Sequence, residues 1–490
     1  MITLLLLVPL LAGLAAFLMK DDGARRVLLI VAAALHFNLV ISAFVFRPSA
    51  VPEAWFALDA LGLLFLGVTS LLFLGASIYT VRYLSLEKRD PGEDSEEGFI
   101  FSNAPEAVFT GCLLLFLAAM TAVTVSRHMG MLWAAVEATT LLSAPLIYFH
   151  RHKRSLEATW KYLLICSVGI AMALMGNLFL GAAGLKTGTA LDMESLLSGA
   201  SSLDPAWLKA AFLFLFVGYG TKMGLAPFHT WLPDAHSEAP ALVSALLSGA
   251  LLNCAFLGIL RVSQVCAAAG LASFTGGILV FFGLLSLMTA ALFILGQKDY
   301  KRMLAYSSIE HMGILSLGVG LGGAAIYGAL LNAVSHSLTK AGLFFLSGLI
   351  LSAYKTKNIS DVKGLYRRAP RTAVLWLAGF FLITGTPPSG IFLGKFMILK
   401  AAVAGGHYAA AAAFLLFLAV AFAGLGRIFL EMTLGEPVPG KAQEKAFIES
   451  RQMLLPVACF FALVLALGIY LPHWLNSLIA GAQNLIGGGI

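Results

Sequence analysis

Gly218-Tyr-Gly-Thr-Lys222-Met-Gly-Leu-Ala-Pro227-Phe228 closes an apolar stretch that begins near residue 206, and Gly385-Thr-Pro387-Pro388-Ser-Gly390-Ile-Phe-Leu-Gly394-Lys395 interrupts another. Each joins helix-breaking Gly and Pro to a lysine a few residues away. Inside a bilayer, an interrupted helix is tolerated where its freed backbone groups face protein or water. A lysine at the same depth costs several kcal/mol and so marks a functional path. The two stretches sit five apolar segments apart, so the chain crosses in opposite directions at each. Paired breaks in corresponding positions are the sequence sign of an inverted-repeat transporter.

Composition supports this reading. Of the 490 residues 59% are hydrophobic and 12% charged, and the mean hydropathy is +0.89. An average soluble protein carries about twice that charge, which excludes a soluble globule and a disordered chain. Continuous apolar runs such as Ala211–Val217 exclude a membrane β-barrel, whose strands alternate. The fold class expected is therefore an all-α polytopic membrane protein. The five cysteines, at 112, 166, 254, 266 and 459, form no close pair, so no zinc, iron–sulfur or redox-dithiol site is expected. They read as small core residues. The +7 charge is spread over loops rather than gathered on a face for nucleic acid. The first apolar stretch, Met1–Leu18, lacks a basic n-region and is read as a true span.

Fourteen spans are expected, at approximately 2–19, 26–46, 58–81, 105–126, 130–149, 157–183, 206–226, 239–260, 271–296, 302–321, 323–352, 372–398, 408–430 and 452–475. Residues 1–104 then form N-terminal helices, 105–262 and 263–435 two inverted five-helix repeats, and 436–490 a C-terminal helix. The acidic stretch Glu87–Glu97 reads as a solvated loop. Alternate loops on one side of this layout hold 22 of the 32 Lys and Arg, the other side 6, and spans the remaining 4. Basic loops face the cytoplasm, so both termini are expected on the opposite side.

Ionisable residues inside spans define the candidate path: Glu137 in Trp133-Ala-Ala-Val-Glu-Ala-Thr, Lys161, Lys222, Glu310, His311, His336, Lys340 and Lys395. The four lysines suit proton traffic, because burial can bring a lysine towards neutrality while arginine stays charged. Each also has a plainer reading. Glu137 and Lys222 can be a static ion pair, Lys340 a fixed partner of Glu310, and Lys161 a snorkelling side chain near a helix end. His311 and His336 can be satisfied core histidines. His229, Asp234 and His236 follow the first break, where capping is the alternative; without a fourth ligand they make no metal site. His36, His128, Arg427 and Glu431 are placed near span ends and given no role.

At Lys222-Met-Gly-Leu-Ala-Pro-Phe-His229-Thr-Trp-Leu-Pro-Asp234-Ala-His236-Ser-Glu-Ala-Pro240 the chain resembles the antiporter-like subunits shared by respiratory complex I, Mrp cation/proton antiporters and membrane-bound group 4 hydrogenases. Ala305-Tyr-Ser-Ser-Ile-Glu-His-Met-Gly313, Ser335-His-Ser-Leu-Thr-Lys340-Ala-Gly-Leu and the segment around Lys395 resemble the same family. Within it, Arg151-His-Lys-Arg-Ser-Leu-Glu-Ala-Thr-Trp-Lys-Tyr and the Glu310–His311 pair look most like the F subunit of hydrogenase 4, in formate-hydrogenlyase-type complexes. The resemblance implies that Glu137 and Lys222 form a charge pair modulating proton loading. It places Lys161 at the family's span 6 lysine, puts His311, His336 and Lys340 on a central polar axis, and makes Lys395 the lysine from which a proton leaves. Asn253 stands where many relatives have a lysine, and asparagine carries no proton at neutral pH. The chain ends soon after span 14, without room for the long lateral helix of complex I's most distal subunit.

The function expected is a proton-translocating subunit of a redox-driven complex in a prokaryotic inner membrane, with no cofactor and no catalysis of its own. Its partners would be other membrane and peripheral subunits, the lipid bilayer and H⁺, with no nucleic acid. An Mrp-type Na⁺/H⁺ antiporter subunit, a complex I pumping subunit and a transport-inactive anchor are the alternatives.

Overall fold

Apolar runs of about 20 residues, capped by Asp, Ser or Pro and cut by Gly, dictate the element order. The computed structural model describes residues 1–46, 55–87, 92–93, 100–436 and 447–487. The first helices are α1 (Ile2–Leu18), α2 (Asp22–Phe46), α3 (Ala60–Leu86), α4 (Glu106–Val125), α5 (Met129–Ile147), α6 (Lys153–Ala183), the short α7 (Met193–Ser198) and α8 (Pro205–Met223). Then come α9 (Trp231–Glu238), α10 (Ala241–Leu246), a π-turn at Leu247–Leu251, α11 (Leu252–Ala268), α12 (Ala272–Leu295), α13 (Tyr300–Leu321) and α14 (Ala324–Tyr354). The chain continues through α15 (Leu365–Arg368), α16 (Pro370–Thr384), α17 (Gly390–Ala404), α18 (Tyr408–Leu434), α19 (Arg451–Ile469) and α20 (His473–Ile486). Among the described residues ten helices are long and apolar enough to cross a membrane, with Ile2–Leu18 and Pro370–Thr384 as shorter apolar helices.

All fourteen expected segments are helical, and both expected breaks are present: the segment at 206–226 stops at Met223 with a new helix, α9, beyond it, and the segment at 372–398 is two helices, α16 and α17. One segment differs: that at 452–475 ends at Ile469, and α20 follows, with Leu475, Leu478, Ile479, Ala482 and Ile486 buried along one side. The expected loop at 87–97 lies mostly outside the described residues; Gly92–Glu93 pairs antiparallel with Ile100–Phe101.

Local chemistry sets the helix ends. Asp204 precedes Pro205 and accepts from the amides of Ala206 and Trp207, a side-chain cap combined with proline at the first helical position. Asp299 caps α13 and Ser389 caps α17 through their side chains, without the proline. The two breaks end on glycines in the left-handed region, Gly224 at φ +80° and Gly385 at φ +83°. An L side chain there costs about 1–2 kcal/mol, and a Cβ on Gly224 would also lie 2.4 Å from Leu232 Cδ1.

Polar contacts between helix ends hold the bundle at its rims. Asp59, the N-cap of α3, receives Arg261 Nη2 at 2.9 Å and Arg127 Nη1 at 3.1 Å, joining three distant segments. Between α5 and α6, His150 meets Asn103 at 2.8 Å and Tyr83 at 3.0 Å, and burial pushes its imidazole down to about 4. The most extensive helix contacts are α6 with α8, α12 with α13, α1 with α4 and α14 with α17. They bring both breaks against unbroken helices.

Gly224→Ala should lower stability by roughly 1–2 kcal/mol. Gly181→Ala, at a helical site where a Cβ meets nothing within 4 Å, should be neutral or stabilise by up to about 1 kcal/mol. Thermal unfolding of the purified membrane complex checks both. Asp59→Ala strands the buried Arg261 and should cost about 3–5 kcal/mol, seen as loss of folded chain on detergent extraction.

Candidate functional site

The first break ends α8 immediately after its lysine. Lys222 is fully buried in the last turn of α8, where the negative end of the helix dipole favours a cation. Its Nζ donates to Thr140 Oγ1 of α5 at 2.8 Å and to Tyr162 OH of α6 at 2.6 Å, with the Tyr162 ring centroid at 4.5 Å. Thr140 in turn donates to Glu137 Oε2 at 3.2 Å, and Ser167 to Oε1 at 3.3 Å. Ser143 meets Tyr162 OH at 2.6 Å. Glu137 and Lys222 thus share one network, but a hydroxyl stands between them. Thr140 is one turn beyond Glu137 on α5 and so reaches the amine first. A hydroxyl both donates and accepts, which suits it to hand a proton between the two.

At the second break the lysine reaches backwards. Lys395, on α17, directs Nζ at the end of α16, where Thr384 O is 3.2 Å and Ile383 O 3.5 Å away. These carbonyls have no partner within their own helix. Glu310 Oε1 of α13 accepts from the same amine at 3.4 Å. The neighbouring His311 donates Nε2–H to Ile383 O at 3.1 Å, and Asn332 Nδ2 approaches its Nδ1 at 3.4 Å. His336 stacks on His311 with centroids 4.4 Å apart.

One helical turn further along α14, Lys340 donates to Leu304 O and to Ser307 Oγ at 3.0 Å. The reading of Lys340 as the fixed partner of Glu310 is therefore corrected: the carboxylate faces Lys395. On α13, Ser307, one turn from Glu310, is the side chain that accepts from Lys340.

Between the breaks, Asn253 Nδ2 donates to Gly249 O at 3.0 Å and Ser337 Oγ at 2.7 Å, tying α11 to α14 beside His336. His236 stacks on Phe344 with centroids 4.8 Å apart. Both ring nitrogens of His236 and of His336 lack a protein partner among the described residues. Buried polar groups are ordinarily paired, so these four nitrogens are poised for water. His229 lies edge-on to Tyr306 at 6.2 Å. Lys161 is set apart: its side chain is 46% exposed and pairs with Glu157 at 2.6 Å and Asp234 at 3.1 Å. Asp234 also holds Arg302 at 2.5 Å.

Sequence reasoning missed the uncharged members of the network: Thr140, Ser143, Tyr162, Ser307 and Asn332. Thr140, Ser307 and Asn332 lie one helical turn from Glu137, Glu310 and His336 respectively, which was the available signal; Ser143 and Tyr162 carried none. His36 was placed near a span end. Instead it is buried mid-helix in α2, bonded to Ser70 at 2.8 Å and Thr121 at 3.0 Å, a satisfied core histidine. Four cysteines are core residues, whereas Cys459 is exposed on α19.

The fold and the buried polar row define a multi-pass membrane protein with ionisable side chains gathered at two helix breaks. The model of the NADH:quinone oxidoreductase/Mrp antiporter transmembrane family matches residues 126–421, and the chain belongs to that family. It is 36% identical over 444 residues to a hydrogenase-4 component F homolog of Methylacidiphilum infernorum (isolate V4), covering 89% of each chain. Its fold is that of a chain in the membrane-bound sulfane sulfur reductase, an archaeal respiratory membrane complex: TM-score 0.87, 20% identity, 99% and 97% coverage. A chain of respiratory complex I from Thermus thermophilus superposes with TM-score 0.75 at 24% identity, covering 96% of both.

Thr140→Val keeps the shape of the side chain but removes the hydroxyl between Glu137 and Lys222. Losing a hydrogen bond to a charged group costs about 1.5–3 kcal/mol. Proton transfer by the assembled complex in sealed vesicles should slow by roughly tenfold or more, at unchanged subunit content.

Proposed function

We propose that this chain translocates protons as an antiporter-like integral subunit of a redox-driven complex of the hydrogenase 4 or formate-hydrogenlyase type. One observation carries the reading: Lys222, His236, His311, His336 and Lys340 all have zero exposure, and the row they form runs between two broken helices. Ionisable groups placed that deep are expensive and face protein or water along ion paths. Family membership and the hydrogenase-4 relative support the same reading.

In this reading a proton is loaded at Lys222 under the influence of Glu137. It passes by Asn253, Ser337 and bridging water to Lys340 and the His336–His311 stack, and it leaves from Lys395. His229 and His236 line the route from one membrane face. Lys161, paired at the surface with Asp234, lies at the rim of the path. The chain crosses fourteen times, as two inverted repeats at 105–262 and 263–435, with both termini away from the cytoplasm of a prokaryotic inner membrane. Partner subunits carry the electrons, and this chain couples their energy to ion movement. A proton crossing 100 mV gains about 2.3 kcal/mol, and one pKa unit is worth about 1.4 kcal/mol. Changes of two units in the buried lysines therefore match the work required.

The family's description also names Mrp antiporters, so Na⁺/H⁺ exchange is the second reading, and a transport-inactive anchor the third. Lys222→Ala in the assembled complex, in sealed vesicles at matched subunit content, separates them. Proton pumping should be lost while assembly persists, and wild-type pumping should not depend on Na⁺. Sodium-dependent pumping would favour the exchanger. Unchanged pumping would favour the anchor.

A further inference from the structure

Glu137 stands on α5 and Lys222 on the broken α8, the fifth and seventh expected spans. Glu310 stands on α13 and Lys395 beyond the break of α16 and α17, the tenth and twelfth. A carboxylate and a lysine thus occupy the same two spans in each half of the chain; Lys222 lies in the last turn of its own half-helix, and Lys395 meets the carbonyl end of the half-helix before it. The geometry differs between the halves. Among the described residues, Lys222 reaches Glu137 through the Thr140 hydroxyl, whereas Lys395 binds Glu310 Oε1 directly at 3.4 Å.

We propose that Glu310 is the controlling carboxylate of Lys395, so that each repeat carries its own Glu–Lys unit, one hydroxyl-bridged and the other in direct contact. This deepens the transport reading and rests on it. Glu310 is 3% exposed, and its second oxygen, Oε2, has no hydrogen-bond partner among the described residues. One oxygen holds the amine while the other stays free to take a donor. A carboxylate serving only to lock two helices would be expected to use both oxygens, because an unmet buried acceptor costs about 1–3 kcal/mol. In direct contact the ion pair retains the proton on Lys395. When the carboxylate turns away, Nζ gives one proton to water at the break and becomes a neutral amine. It is then reprotonated from the His311–His336 side. Only N–H and O–H bonds change.

The test uses the assembled complex in sealed vesicles, with Glu310→Gln, Glu310→Asp, the double variant Glu310→Gln with Lys395→Met, and Lys222→Ala in parallel. At normal subunit content, Glu310→Gln should slow proton pumping about tenfold or more, and Glu310→Asp should keep it within about threefold of wild type, since it restores the charge. If Glu310→Gln pumps at the wild-type rate while Lys222→Ala does not, the proposal is overturned and the transport reading stands. If Lys222→Ala also pumps normally, the transport reading itself fails, and this inference with it. A Glu310→Gln defect that merely follows lost subunit, with both content and pumping restored in the double variant, would make the pair a packing device and also overturn the proposal.

Discussion

The rest of this structure depends on the cost of a charge in a low-dielectric interior. A buried ammonium without partners is untenable, and so is a backbone carbonyl left open inside the membrane. The two helix breaks answer both demands at once. Ending α16 at Thr384 frees carbonyls that Lys395 requires, and ending α8 at Met223 places Lys222 at the negative pole of its helix. Gly224 and Gly385 permit the stops because glycine takes the left-handed conformation without strain.

Around these anchors the bundle supplies groups that donate and accept at short range. Thr140 and Tyr162 hold one amine, with Ser143 behind Tyr162, and Ser307 and Leu304 O hold another. Asn332 and Ile383 O fix the His311 ring between the second lysine and His336. The row combines bonded residues, which are positioned, with His236 and His336, whose ring nitrogens have no protein partner among the described residues. His36 is the contrast: both of its nitrogens are bonded, to Ser70 and Thr121.

Much of this was legible in one dimension. The order of helices follows from apolar length and from Gly and Pro, and the buried charges announce themselves by their cost. Less visible were α20, because its buried face is a one-sided stripe rather than a continuous apolar run, and the surface position of Lys161, because a charge one turn inside a helix end can point either way. The neutral hydroxyls escaped notice because Ser and Thr are cheap to bury once they bond the preceding turn, as Thr121, Ser143 and Thr339 do. Their presence in a span therefore signals nothing by itself.

The sequence alone determined the long apolar helices, where two of them break, and that Lys222, Glu310, His311, His336, Lys340 and Lys395 lie deep, since each of these turns on local spacing and on the local cost of burial. Only the tertiary structure decided which carboxylate faces which lysine. Glu310 and Lys395 are 85 residues apart, and Thr140 and Lys222 are 82. Their meeting depends on how α13 packs beside α17, and on how α5 and α8 both pack on α6, to within the length of a hydrogen bond.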